Sequence, residues 1–136
     1  MKVIGIAFSD LHLGEYSKFN EDNKRTLNHI RVLYLIKDLC IKYKCPAFFC
    51  GDFMHRPEFI STSLDEIIIE QFEELNRCEE FNIYGISGNH CMPKANTIEH
   101  RSPSHWANLC RRYSFLHNID FSYHDFGKFR VVGIPY

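Results

Sequence analysis

The sequence has no excess of charge of one sign and no long hydrophobic run. Its 136 residues carry 16 lysines and arginines against 17 aspartates and glutamates, a formal net charge of −1 with the histidines counted as neutral. This balance excludes nucleic-acid binding through overall basic charge, so such binding would need a local patch or a metal ion. No stretch approaches the roughly 20 apolar residues of a membrane span. The apolar start, Val3–Phe8, is too short for the core of a signal peptide, and we expect a cytoplasmic protein.

The sequence also has no pair of cysteines at C-x-x-C spacing, although it contains six cysteines. This excludes the common structural zinc knuckles. In a reducing compartment we expect most of these cysteines to be small, buried apolar residues. Hydrophobic residues make up 45% of the chain and aromatic residues 15%. With no repeat and no low-complexity stretch, this composition and length predict one globular domain, or part of one, over residues 1–136.

Short apolar runs alternate with stretches of helical periodicity. The predicted strands are Val3–Ser9, Ala47–Cys50 and Asn82–Ser87, followed by Tyr113–Leu116, Asp120–Tyr123 and Phe129–Ile134, with a hairpin turn at Asp125–Lys128. The predicted helices are Asn23–Tyr43, one that follows the N-cap candidates Ser61, Thr62 and Ser63, and Ser104–Arg111 after a cap at Ser102 and Pro103. In the second of these, Ser63 and Glu66 form a capping box. This alternation predicts an α/β fold with a mainly parallel sheet and flanking helices.

The first helix should bury an apolar face made of Leu27, Ile30, Leu33, Tyr34 and Ile41. The second carries five acidic residues, Asp65, Glu66, Glu70, Glu73 and Glu74. Such a surface repels DNA, so we expect it to face water or a protein partner.

Three polar clusters follow the first three predicted strands: Asp10-Leu11-His12, Gly51-Asp52 and Gly88-Asn89-His90. Each cluster alone is an ordinary turn sequence. Parallel strands, however, bring their carboxyl ends to one edge of the sheet, so we expect these side chains to meet there. We also expect the spacing of Asp10 and His12 to place both on the same side of an extended segment. Converging carboxylates repel each other unless a cation lies between them, and Asp with His suits manganese, iron or zinc.

This set of motifs resembles the signature of the calcineurin-like metallophosphoesterase superfamily, which runs Asp-x-His, Gly-Asp and Gly-Asn-His. Asp-Leu-His-Leu-Gly at 10–14 and Gly-Asp-Phe-Met-His at 51–55 are most similar to the SbcD-type DNA exonucleases and the phage recombination nuclease subunits. The resemblance implies that the chain is the N-terminal part of a metallophosphoesterase αββα sandwich. It also implies an SbcC-type ATPase subunit as partner and DNA as substrate.

The resemblance further implies a role for each site residue. Asp10 and His12 would bind the first of two divalent ions, Asp52 would bridge both, and Asn89 would bind the second. His90 would contact the phosphate or protonate the leaving oxygen. Mn²⁺ is the foremost candidate for both ions, with Mg²⁺, Fe²⁺ or Zn²⁺ as alternatives.

Two further residues are candidates for substrate binding. His55 follows the second motif and would contact the phosphate, although a plain loop role is an equal alternative. Arg101 belongs to a locally basic stretch with Lys94, His100, Arg111 and Arg112, which would suit a phosphodiester backbone. A solvated charged loop is the alternative interpretation of that stretch.

Two departures from the superfamily pattern affect these expectations. Cys91 stands where an acidic residue normally follows Gly-Asn-His, which leaves His90 less well oriented. The later histidine motifs, a lone histidine and Gly-His-x-His, are not recognisable. Four later histidines could stand in for these missing ligands: His100, His105, His117 and His124. None of them follows a predicted strand in a Gly-His-x-His context.

The motifs together with the resemblance thus imply a metal-dependent phosphodiester hydrolase that acts on DNA through a water activated by two metal ions. One alternative is a phosphomonoesterase or a small-molecule phosphodiesterase on the same scaffold. Another is a catalytically inactive fragment that serves as a binding module.

Overall fold

A computed structural model of the chain describes residues 2–14, 24–54, 61–89 and 104–135. Strand β1 (Ile6–Phe8), helix α1 (Lys24–Tyr43), strand β2 (Ala47–Phe49), helix α2 (Thr62–Asn76), strand β3 (Ile83–Gly85), helix α3 (His105–Arg112) and strands β4 (Leu116–Asn118), β5 (Tyr123–Asp125) and β6 (Arg130–Val132) follow in that order. The first four strands form a parallel sheet in the order β1-β2-β3-β4. The predicted α/β fold with a parallel sheet is therefore confirmed.

The predicted hairpin is also confirmed, because β5 and β6 pair antiparallel around the turn that contains Gly127. The strand predicted at Tyr113–Leu116 is wrong: β4 begins only at Leu116. Tyr113 caps α3 instead, where its N–H donates to the Leu109 carbonyl over 3.0 Å. β5 likewise begins at Tyr123, so Asp120 lies in the connection that follows β4.

One predicted helix cap is confirmed, because Ser61 belongs to the serine and threonine run predicted to cap the second helix. The other is wrong by two residues, because α3 is capped by Ser104 and not by the predicted Ser102. Ser61, in extended backbone geometry, caps α2, and its hydroxyl accepts from the Leu64 N–H over 3.3 Å. Ser63, predicted to form a capping box with Glu66, lies inside the helix instead, and its hydroxyl hydrogen-bonds that of Ser61. Ser104 caps α3 by accepting from the Ala107 N–H over 3.1 Å. Clustered serines give the sequence several equivalent caps, and backbone geometry selects among them.

One face of the sheet packs against the helices. Ala47, Phe49, Ile83 and Leu116 are at most 2% exposed on this face. Core residues from all three helices join them, including Leu33 of α1, Phe72 of α2 and Trp106 of α3. The ring centroid of Trp106 lies 4.8 Å from that of Phe49. Regular alternation along the strands thus places a continuous apolar core between sheet and helices.

The hairpin packs on the opposite face of the sheet. Phe48 and Tyr84 are paired in register on this face, and the ring centroid of Phe126 lies 5.7 Å from that of Phe48 and 4.9 Å from that of Tyr84. Phe48 and Tyr84 are half-buried, whereas their counterparts on the helical face are buried. The two faces of the sheet are therefore covered unequally.

The buried side of α1 differs in part from the predicted one. Ile30 and Leu33 are buried as expected, but Ile41 is exposed, and the helix instead buries Thr26, Ile36 and Cys40. The five acidic residues of α2 are all exposed at the surface. Among the cysteines, Cys40 and Cys45 are buried as predicted, whereas Cys50 is exposed. No helix within the described residues is long and apolar enough to cross a membrane.

Candidate metal centre

The segment that follows β1 runs beside the segment that follows β2. The N–H of Asp10 donates to the Gly51 carbonyl over 3.0 Å, and the N–H of His12 donates to the Asp52 carbonyl over 2.9 Å. The N–H of Leu13 likewise donates a hydrogen bond of 2.8 Å to the carbonyl of Phe53. Buried apolar side chains anchor both segments in the core: Leu11, Leu13, Phe53 and Met54. The backbone therefore fixes the two motifs against each other.

This pairing brings three potential metal ligands together. The ligand atoms of Asp10, His12 and Asp52 all lie within 4.8 Å of one another. His12 Nε2 is 3.5 Å from an Asp10 carboxylate oxygen, and the Asp10 side chain is 65% exposed whereas that of His12 is 27% exposed. The group is thus anchored on one side and open to solvent on the other.

All three of these residues have left-handed backbone geometry. The φ angles are 55° at Asp10, 45° at His12 and 63° at Asp52. The expectation that Asp10 and His12 share one side of an extended segment is therefore wrong. Their side chains meet because two left-handed residues flank the buried Leu11. Asp and His are among the residues found most often in this region, but each such residue still costs about 1–3 kcal/mol, and strain of this kind clusters at functional sites.

Glycines allow the turn after β3 to touch the turn after β2. Gly51 has a φ of 108°, and a Cβ placed on it would lie 3.0 Å from the Cα of Gly88. A Cβ on Gly88 would collide with the carboxylate and the backbone nitrogen of Asp52. Both positions therefore require glycine, and the backbone of Gly88 is pressed directly against the candidate ligand Asp52.

Asn89 lies at the same edge of the sheet. It is exposed, and together with Asp52 and Gly88 it lines a cavity of about 500 Å³. The apolar wall of this cavity includes Ile86, Ile134 and Pro135. The other predicted site residues, His90, His55 and Arg101, lie outside the described residues, as do Cys91 and His100.

The described histidines that were considered as replacement ligands, His105, His117 and His124, lie outside the group around Asp52. His117 is on the hairpin side of the sheet, where its ring stacks on Tyr84 and its Nε2 is 2.8 Å from Asn82 Oδ1. Burial, and then the neighbouring His124, lower the pKa of His117. His105 begins α3. Within residues 2–14, 24–54, 61–89 and 104–135, the only group of at least three His, Cys, Asp or Glu ligands is the one around Asp52.

Two residues near the site were not predicted. His29 of α1 lies beside His12. Burial, and then the nearby Arg25, lower the pKa of His29, although a hydrogen bond to the His12 backbone opposes this. Asp120 follows β4 by two residues, as Asp10 follows β1. An aspartate just after a strand could have been predicted as a site residue from the sequence. The prediction failed because β4 was placed too early in the sequence, so that Asp120 did not come just after it. For His29 the sequence offers no signal, because only tertiary packing brings it to His12.

The donor set fits a divalent cation. Two carboxylates and one imidazole are suitable ligands for Mn²⁺, Fe²⁺ or Zn²⁺, and three protein ligands leave positions open for other groups. No family model matches the chain, and no curated protein matches it. The chemistry of the chain must therefore be inferred from the residues at this edge of the sheet.

Proposed function

We propose that the chain is a metal-dependent phosphodiester hydrolase of the calcineurin-like metallophosphoesterase type. The observation that carries this proposal is the gathering of Asp10, His12 and Asp52 within 4.8 Å at the carboxyl edge of the parallel sheet. All three residues adopt left-handed geometry, a strain that is typical of functional sites. A similar set of motifs in the superfamily serves phosphate ester hydrolysis.

Each residue then has a distinct role. Asp10, His12 and Asp52 would hold a divalent cation, with Mn²⁺ foremost, and Asn89 would provide the amide oxygen of a second site that shares Asp52. When bound, these ions would supply positive charge that stabilises the charge on the phosphoryl oxygens. His90 would give a proton to the leaving oxygen.

DNA is the proposed substrate because the first two motifs are most similar to those of SbcD-type nucleases, and an SbcC-type ATPase is the corresponding partner. His55 and Arg101 are proposed to contact the phosphodiester. Arg112 is poorly placed for such a contact, because it ends α3, whereas Ser104 at the other end of that helix contacts Ser87 beside the site. Eight residues of helix separate the two ends by roughly 12 Å.

Hydrolysis of bis(p-nitrophenyl) phosphate by the 136-residue chain tests the proposal. We expect turnover with Mn²⁺, none with a chelator, and a loss of at least about 100-fold in Asp52→Asn, because that variant removes the charge shared by both sites. Asp38→Asn, on the exposed surface of α1, is the matched control and should be unaffected. Turnover that survives both the chelator and Asp52→Asn would overturn the proposal.

The choice of substrate distinguishes the alternatives. Linear duplex DNA and a nucleotide monoester should be offered separately to the Mn²⁺-loaded chain. Cleavage of DNA alone supports the nuclease proposal, and hydrolysis of the monoester alone identifies a phosphomonoesterase. DNA binding without hydrolysis of any ester would identify an inactive binding module.

A further inference from the structure

A chain of hydrogen bonds ends on the carboxylate of Asp120, beside the candidate metal centre. One carboxylate oxygen accepts from the Ser87 N–H over 2.8 Å, and the other accepts from the Ser87 hydroxyl over 2.6 Å. The Ser87 hydroxyl also lies 2.6 Å from the hydroxyl of Ser104, the residue that caps α3. Both serines are buried, with exposures of 2% and 6%. These contacts link β3, β4 and α3 at one point.

The number of available hydrogens decides which group donates in each of these hydrogen bonds. A hydroxyl has one hydrogen, and an ionised carboxylate has none to donate. Since the Ser87 hydroxyl donates its hydrogen to Asp120, Ser104 must donate to Ser87, and Ser104 in turn accepts from the Ala107 N–H. Both buried hydroxyls in the chain are therefore satisfied, and the carboxylate is the acceptor that completes it.

Asp120 is itself held in place. Its N–H donates to Asn118 Oδ1 over 3.2 Å, and its backbone forms a parallel bridge with Gly133 after β6. A Cβ on Gly133 would collide with the carbonyl of Ile119, so this approach is tight. The carboxylate is therefore a fixed point against which Ser87 is secured.

Ser87 directly precedes Gly88 and Asn89, and Gly88 is pressed against Asp52. We propose that Asp120 is a positioning residue that fixes the Gly88–Asn89 turn against Asp52 and thereby sets the affinity of the metal centre. This inference rests on the proposed function. Groups that orient metal ligands in this way typically change metal affinity by roughly 10- to 100-fold when they are lost.

Mn²⁺ titration followed by electron paramagnetic resonance tests the role in the metal-bound state. Asp120→Ala should weaken Mn²⁺ binding about tenfold. Asp120→Asn should weaken it less than Asp120→Ala, because its amide oxygen can still accept from the Ser87 N–H and its NH₂ can donate to the Ser87 hydroxyl, although one hydrogen of the two serine hydroxyls then loses its acceptor. The matched control is Asp125→Ala in the hairpin, which removes a carboxylate that accepts from Gly127 and Arg130 and should leave Mn²⁺ affinity unchanged.

Amide hydrogen exchange of the metal-free chain tests the positioning by itself. Asp120→Ala should remove protection at Ser87 and speed exchange over the following turn, and Asp120→Asn should restore it. Ser87→Ala keeps the charge of Asp120 but removes the hydroxyl link, so it should also weaken Mn²⁺ binding, and it serves if Asp120→Ala does not fold.

Two results would overturn the positioning role. If Asp120→Asn binds Mn²⁺ as weakly as Asp120→Ala, the charge acts at a distance and not through Ser87. If exchange around Ser87 is unchanged in Asp120→Ala, the carboxylate does not hold the turn. A different outcome would overturn the proposed function: the wild type takes up no Mn²⁺, while Asp120→Ala still loses amide protection around Ser87. In that case Asp120 fixes the Gly88–Asn89 turn but serves no metal centre.

Discussion

The helix-covered face of the sheet and the turns that follow its strands are held in place by different means. On that face, large side chains such as Phe49, Phe72 and Trp106 are almost fully buried in regular secondary structure. In the turns, Asp10 and His12 are polar, partly exposed and left-handed, and backbone hydrogen bonds hold them against the segment that follows β2. Stability and candidate chemistry therefore belong to different residues, and substitutions should be able to change one without the other.

The largest expected effect is on stability, from Phe72→Ala. Phe72 is fully buried, and its ring centroid lies 5.3–5.9 Å from those of Phe53, Tyr113 and Phe115. Truncation should lower the free energy of unfolding by about 3–5 kcal/mol, measured by urea denaturation. Phe121→Ala is the control, because that ring is 85% exposed and its loss should cost less than about 0.5 kcal/mol.

The comparison also requires that the folded Phe72→Ala chain keep its site. Measured well below its unfolding transition, it should bind Mn²⁺ with wild-type affinity, because Phe72 supplies no ligand and its contact with Phe53 leaves the backbone hydrogen bonds between the two ligand segments in place. A loss of affinity as large as that expected for Asp120→Ala would show that the core and the turns are not separable.

Replacing left-handed residues by glycine should have a smaller effect on stability, and in the opposite direction, because it should raise the free energy of unfolding. Lys44, after the end of α1, has a φ of 50° and is exposed, and Asp10 has a φ of 55°. Lys44→Gly should stabilise the chain by about 0.5–1 kcal/mol, because glycine adopts this geometry without strain. Asp10→Gly should be neutral or slightly stabilising, since Asp tolerates the region better than Lys.

The two glycine variants should differ in metal binding. Asp10→Gly removes a ligand and should abolish Mn²⁺ uptake, whereas Lys44→Gly should leave it intact. Calorimetric titration with Mn²⁺ and thermal unfolding of both variants measure the two properties side by side. If Asp10→Gly lowers stability by more than about 1 kcal/mol, beyond the range of an ordinary surface substitution, Asp10 serves the fold and not only the site.

The contrast between the two regions also explains what the sequence could reveal. The alternation of apolar runs with helical periodicity was enough to predict the parallel sheet, because burial on that face depends on local patterns. The approach of Asp10, His12 and Asp52 followed from parallel topology alone. Their left-handed backbone was not predictable, since it depends on how the segment around the buried Leu11 pairs with its neighbour.

Residues whose roles depend on tertiary contacts were missed. Asp120 comes just after a strand because β4 runs from Leu116 to Asn118, and the sequence pattern places that strand earlier, at Tyr113–Leu116. His29 sits in an ordinary helical sequence and reaches His12 through the packing of α1. Small errors in the predicted strand and cap boundaries are therefore enough for residues that support the site, such as Asp120, to be missed, even when the predicted fold is correct.

The smallest expected effect is a pH dependence at the junction of the two regions, where His105 begins α3 next to Ser104. Burial lowers the pKa of His105, although Asp65 opposes this, and its buried Nδ1 has no hydrogen-bond partner among the described residues. The unfolded chain therefore takes up this proton first as the pH falls below 6.5. The stability that His105 contributes is complete above about pH 6.5 and is lost as the pH falls towards its lowered folded pKa, with a slope below about 1.4 kcal/mol per pH unit.

Urea denaturation from about pH 7.5 to about pH 5 should show a flatter loss of stability in His105→Gln than in the wild type. The slope that remains in the variant comes from other histidines of lowered pKa, such as His117. Parallel pH profiles for the two proteins would show that the His105 ring is protonated equally in the folded and unfolded chains.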